Sequence, residues 1–207
     1  MASTPNLISP PPPPAPQEIT RKTRKTDTSS SVPEPPLVPS TGPTGAFLVE
    51  QLIYNGAPFK DHWAYYVGSH DEPDIGVKIH ATEDVRNGFK FEIKRSENLR
   101  TSEDVPTKRI PLQWVDGKRF NGETMLNNGV YKVDDYPICG LEASACKVKA
   151  PAKSLNAIDA SDTQTSNIGK KIEQRHCQTW IVESAAQLAK DGLFSKEVVD
   201  YLHAVKQ

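Results

Sequence analysis

Four successive β-forming runs, separated by short turn sequences, constrain this chain more than any other feature. The last, GFKFEIKR (residues 88–95), alternates cleanly: Phe89, Phe91 and Ile93 share one face, and Lys90, Glu92 and Lys94 the other. Before it come AFLVEQLIYN from Ala46, HWAYYVGS from His62 to Ser69 and IGVKIHAT over residues 75–82. Each is rich in aromatic or β-branched residues, which fit a pleated, half-buried surface. The turns between them carry Pro with clustered Asp and Glu in HDEPD, and an Asn87–Gly88 step. RIPLQWV, residues 109–115, reads as a further strand, placed at an edge because Pro111 offers no N–H to a ladder. The expectation is an antiparallel meander of about four to five strands.

The C-terminal part changes period. HCQTWIVESAAQLAKDG, from His176, reads as a helix with Trp180, Ile181, Ala185 and Leu188 at helical spacing and Gly192 as its stop. Ser195 caps a second helix with Val198, Tyr201, Leu202 and Val205 on one face. ICGLEASACKVKA reads as a shorter helix carrying Cys139 and Cys146. The class is α+β, an antiparallel sheet packed by C-terminal helices.

Composition sets the boundaries. Residues 1–44 hold most of the 18 prolines and no aromatic residue, so they cannot bury enough apolar surface to offset the entropy of ordering. They read as a disordered Pro/Ser/Thr-rich tail. Pro10–Pro14 is expected in polyproline II form, and Ser40 and Thr41 lie just before Pro43. The tail is a solvated segment or a recruiter of a protein partner. Residues 45–207 form one domain, interrupted by a polar loop at about 151–174.

Several functions fall away. A net charge of −1 gives no basic surface for nucleic acid. No apolar run approaches the roughly 18 residues of a transmembrane segment. The start MASTPNLISPPPPPAPQ is no secretory signal. Three cysteines make an odd set, read as thiols in a reducing, cytoplasmic or nuclear setting. Cys139 and Cys146 do not have zinc-ligand spacing, and His62, His80 and Cys177 match no familiar zinc pattern, so neither a metal nor a cofactor is implied.

What remains is a thiol and two imidazoles. His62 and His80 each lie nine positions from Asp71 in the presumed turn, so a symmetric hairpin makes them cross-strand neighbours. Their Cβ atoms would then be roughly 5 Å apart. His70 falls in the turn, exposed. Cys177 opens a helix, where the partial positive charge favours thiolate. Nucleophile, base and a third group that orients the base are the elements of thiol catalysis.

The order of His in HWAYYVG, a second His in GVKIH and Cys in RHCQTW resembles the circularly permuted, NlpC-type papain-like proteins. Those include the lecithin:retinol acyltransferase-like acyltransferases and phospholipases and the PPPDE peptidases. The region also resembles a largely fungal family of uncharacterised proteins with an H-W motif near the start and a C-Q-x-W motif near the end. The resemblance implies a permuted papain-like fold, Cys177 as nucleophile, His62 as base and His80 as the third polar member. Gln178 stands where the acyltransferases have Glu, and His176 where the wider group has Asn. Trp63, Gln178 and Trp180 are candidates for substrate contact, with Trp63 and Trp180 more simply read as core. The function implied is a cysteine-dependent hydrolase or acyltransferase acting on an acyl or peptide substrate. The alternative is a catalytically inactive papain-like binding or scaffold module.

Overall fold

The computed structural model describes residues 33–153 and 174–207. Most of the proline-rich tail and the polar loop therefore lie outside the described residues.

The expected strands form where their side chains call for them: β1 Phe47–Tyr54, β2 His62–Gly68, β3 Ile75–Asp84, β4 Gly88–Asn98 and β5 Lys108–Val115. A sixth, β6 Lys132–Asp134, completes an antiparallel sheet in the order β5-β1-β2-β3-β4-β6. The count exceeds the sequence expectation because β6 has only three residues, too few to show a period. Pro111 does lie on the edge strand, and the β1–β5 register shifts between Val49 and Glu50, opposite it. The helices are α1 Gly122–Met125, α2 Gly140–Cys146, α3 Cys177–Lys190 and α4 Lys196–Val205.

One sheet face carries the main core. Val49, Trp63, Tyr65, Val67, Val77, Ile79, Ala81 and Ile93 pack against Trp180, Ile181, Ala185 and Leu188 of α3, with Val198 and Leu202 of α4 behind. Tyr65 Oη donates to Ile181 O at 2.7 Å and Trp180 Nε1 to Val148 O at 2.9 Å inside this layer, whereas Trp63 Nε1 and the Gln51 carboxamide have no hydrogen-bond partner among the described residues. Burying a large aromatic such as Trp180 contributes a few kcal/mol, at about 25 cal/mol per Å². Leu52, Ala64, Tyr66 and Leu99 form a smaller cluster around alternate strand positions. The positions that alternate with the main core also carry buried polar groups, among them Glu50, Lys78, His80 and Glu97. The chain before β1 is tied in as well, since Trp114 Nε1 donates to Pro39 O at 2.8 Å.

Both central hairpins differ in register from the simple reading. Tyr65 faces Ile79 and Gly68 faces Gly76, which centres the first hairpin one residue later than Asp71. Ser69 sets this loop: its N–H donates to Ile75 O at 2.8 Å, and its hydroxyl accepts from Glu72 N–H at 2.9 Å. In the second hairpin Asp84 faces Gly88 around a three-residue loop, Val85–Asn87, and Gly88 takes a positive φ of 88°. Asp84 Oδ1 accepts from the N–H groups of Arg86 and Asn87 at 2.8 and 2.9 Å, so the turn centres on Arg86, ahead of the Asn87–Gly88 step.

Arg95 joins β4 to β6 and α2. It is 1% exposed and grips Glu142 through both terminal nitrogens at 3.0 and 3.2 Å, while Nε donates to Asp134 at 2.5 Å. Glu142 is 1% exposed, so removing the guanidinium strands a buried carboxylate. Arg95→Ala is expected to lower the urea unfolding free energy by about 3–5 kcal/mol. Lys90→Ala, which breaks the exposed pair with Glu83, should leave the midpoint unchanged.

Candidate functional site

The imidazoles meet, though not as direct cross-strand partners. Extending the observed register places His80 opposite Ala64, so His62 and His80 are diagonal neighbours on one sheet face. A shift of two partner positions keeps the face, because side chains alternate with a period of two. The rings reach across: His62 Nε2 lies 2.8 Å from His80 Nδ1, with the planes at 70°. His80 faces Glu92 of β4 directly, and His80 Nε2 lies 3.0 Å from Glu92 Oε1.

This chain of contacts fixes the tautomers. The hydrogen bond from His80 holds Glu92 below the usual carboxylate range, so it is ionised and only accepts. His80 Nε2 then carries the hydrogen and Nδ1 the lone pair. His62 Nε2 must donate to that lone pair, which leaves a lone pair on His62 Nδ1. Burial, followed by repulsion from His80, Lys78 and Lys94, lowers His62 to about 3. Burial also lowers His80, against the opposing pull of Glu92. Both rings are neutral at neutral pH.

Cys177 arrives through an opening in the sheet. The β2–β3 ladder runs from Gly68/Gly76 only as far as Tyr65/Ile79. Beyond it, the Trp63 N–H and the Asp61 carbonyl turn to the start of α3. The Trp63 N–H is near enough to Cys177 Sγ to pull its pKa down, and Sγ lies 3.9 Å from Asp61 O, which also accepts from Gln178 Nε2 at 2.8 Å. The sulfur therefore rests on the backbone either side of His62. Among the described residues no hydrogen bond joins Sγ to either imidazole. His176 precedes the helix, its N–H donating to Thr179 Oγ1 at 3.4 Å, and its Nε2 lies 3.1 Å from Lys60 Nζ.

The acidic thiol expected at a helix start is not found. Cys177 is 8% exposed, and burial raises its pKa. The N–H groups of Trp63, Gln178 and Cys177 itself, with Lys60, pull the other way and do not prevail. The resting group is a thiol. Cys139 is likewise buried and pushed up to about 12, and neither Cys139 nor Cys146 is in a disulfide. No group of three or more His, Cys, Asp or Glu among the described residues is placed to hold a metal.

The substrate-contact candidates sit inside the fold. Trp63 is 2% exposed and Trp180 0%, so both belong to the packing of the core. Gln178 is 0% exposed, covered by Asp61 and Gln207. His70 is exposed at the turn as expected, its ring 4.2 Å from that of Phe47. Sequence reasoning missed Glu92. The alternation puts Glu92 on the polar face of β4, but an Asn-Gly turn centred at 87–88 would set Arg95, not Glu92, opposite His80.

The protein is thus an α+β domain with a six-stranded antiparallel sheet, a helix-start cysteine and a partly buried His–His–Glu relay. The chain belongs to the family of unknown function DUF6540, whose model matches residues 49–195. Searches of the curated proteins and of the solved structures returned no match.

The relay makes stability depend on pH. The folded imidazoles titrate below their ordinary 6.5, so the unfolded chain takes up these protons first. Their contribution is complete above about pH 6.5 and is lost as pH falls toward about 3. Urea titrations should show stability declining through that window, with a shallower slope in His62→Asn. Equal slopes would contradict a buried neutral relay.

Proposed function

We propose that the domain is a cysteine-dependent hydrolase or acyltransferase of permuted papain-like build. The observation that carries this reading is the tautomer order of the relay. It leaves the basic nitrogen of His62 as Nδ1, the ring nitrogen next to its own backbone, and that backbone segment holds Cys177 Sγ. Cys177 is the nucleophile and His62 the base. His80 and Glu92 are positioning residues that hold the His62 ring and its tautomer.

In the proposed cycle, His62 Nδ1 takes the thiol proton as Sγ attacks an ester, thioester or amide carbonyl. The proton then passes to the leaving alcohol, thiol or amine, and a thioester remains on Cys177. Water or an acceptor alcohol or amine, deprotonated by His62, attacks the thioester and returns the sulfur to the thiol. Because the resting pair is neutral, proton transfer accompanies attack; no preformed thiolate–imidazolium pair is needed. N–H groups around the start of α3 are the candidate oxyanion donors. A cytoplasmic setting and a protein partner for the proline-rich tail complete the proposal.

The second reading, a catalytically silent binding module, draws on the buried, raised thiol. One experiment separates the two. With p-nitrophenyl acetate the active enzyme should release a burst of one equivalent of p-nitrophenol per chain, roughly as for other acyl-enzymes. The burst should vanish in Cys177→Ala and slow by about 10²–10⁴-fold in His62→Ala. A burst that survives Cys177→Ala, or is absent from the wild type, sinks the enzyme reading.

A further inference from the structure

Gln207, two residues beyond α4, is held through both main-chain polar atoms and both atoms of its carboxamide. Its side-chain oxygen accepts from Asp61 N–H at 3.0 Å and from Gln178 Nε2 at 3.1 Å. Its side-chain NH2 donates to Asp61 Oδ2 at 3.1 Å. Its main-chain N–H donates to Gln178 Oε1 at 2.9 Å, and its main-chain oxygen accepts from Lys60 Nζ at 2.6 Å. Gln207 itself is exposed, so core packing does not account for this degree of fixation.

The cradle selects for an amide. Asp61 offers a donor and an acceptor to the same side chain, which matches the oxygen and NH2 of a carboxamide. A glutamate would set a second carboxylate against Asp61 Oδ2, and an asparagine would fall one methylene short. The receiving groups are preorganised: Gln178 is fully buried and already bonded to Asp61 O. That same carbonyl is the one against which Cys177 Sγ rests. The cradle and the thiol therefore share Asp61 as a common neighbour.

We propose that Lys60, Asp61 and Gln178 form a recognition site for a glutamine residue of a peptide substrate, filled in this chain by its own Gln207. As a specificity subsite this rests on the thiol reading above; as a glutamine-binding site it stands on the hydrogen bonds alone. Gln207 then acts as an internal competitor, and its removal opens the site.

The test uses the full chain, wild type and Gln207→Ala, titrated with N-acetylglutaminamide and followed by NMR shifts of the Asp61 and Gln178 amides. Gln207→Ala should bind the probe at least about 10-fold more tightly than wild type. It should favour it over N-acetylasparaginamide by about 10-fold or more, the usual cost of a missing methylene, and over the glutamate analogue. No response in Gln207→Ala, or an equal response to all three probes, overturns the proposal. The p-nitrophenol burst is measured on the same samples. A burst without glutamine selectivity sinks the subsite alone; glutamine binding without a burst sinks the thiol chemistry and leaves the binding site standing.

Discussion

The architecture of the site depends on one break in a hydrogen-bond ladder. β2 and β3 stop pairing at Tyr65 and Ile79, which leaves main-chain groups at Asp61 and Trp63 needing partners. A buried N–H or carbonyl left alone costs about 1–3 kcal/mol, so an opening of this kind must be filled. The start of α3 fills it: Gln178 takes the Asp61 carbonyl, and Cys177 Sγ sits near enough to the Trp63 N–H for that group to favour the thiolate. The groups that repair the sheet are thus the groups that define the candidate site. Helix and strand cannot move apart here without exposing both.

This construction decides the acidity of the thiol. A helix start contributes typically about 0.3–1 kcal/mol to a nearby negative charge. Sealing a sulfur into a repaired seam removes most of its water, and here the loss of hydration outweighs the helix end and the surrounding N–H groups. The same balance governs the imidazoles. Burial keeps them neutral, and the carboxylate of Glu92 sets the direction of their hydrogens without drawing a proton onto the rings. The relay therefore stores tautomer order and not charge.

The parts of this arrangement legible in the sequence are those written in side-chain pattern. The alternation of Phe89, Phe91 and Ile93 placed β4, Pro111 placed an edge, and the spacing of Trp180, Ile181, Ala185 and Leu188 placed α3 on the core. The shared face of His62 and His80 was also readable, because it survives an even shift of register. What was not readable depends on loop geometry and burial. Ser69 and Asp84 move two turns by their own hydrogen bonds, and the second of these shifts brings Glu92 to His80. The thiol's pKa depends on how deeply the helix start is seated, which no local sequence signal records. β6 is too short to announce itself; it pairs with β4 over three residues and carries Asp134 to Arg95.

The sheet's alternation also explains why the site lies at the seam and nowhere else. Adjacent strand residues point to opposite faces, so Trp63 enters the helix-covered core while His62 joins His80 and Glu92 on the other side. In an unbroken sheet, a cysteine carried by a core-face helix would meet Trp63 and be screened from His62 by the strand itself. Where the ladder opens, the sulfur settles at the level of the backbone, against Asp61 O and Trp63 N–H, between the two faces. In this fold the helix-borne sulfur and the relay on the far sheet face thus both adjoin the backbone around His62. Gln207 bonds to the N–H and carboxylate of Asp61 and to the Gln178 side chain, so the residue whose carbonyl lies behind the sulfur also holds Gln207 in place.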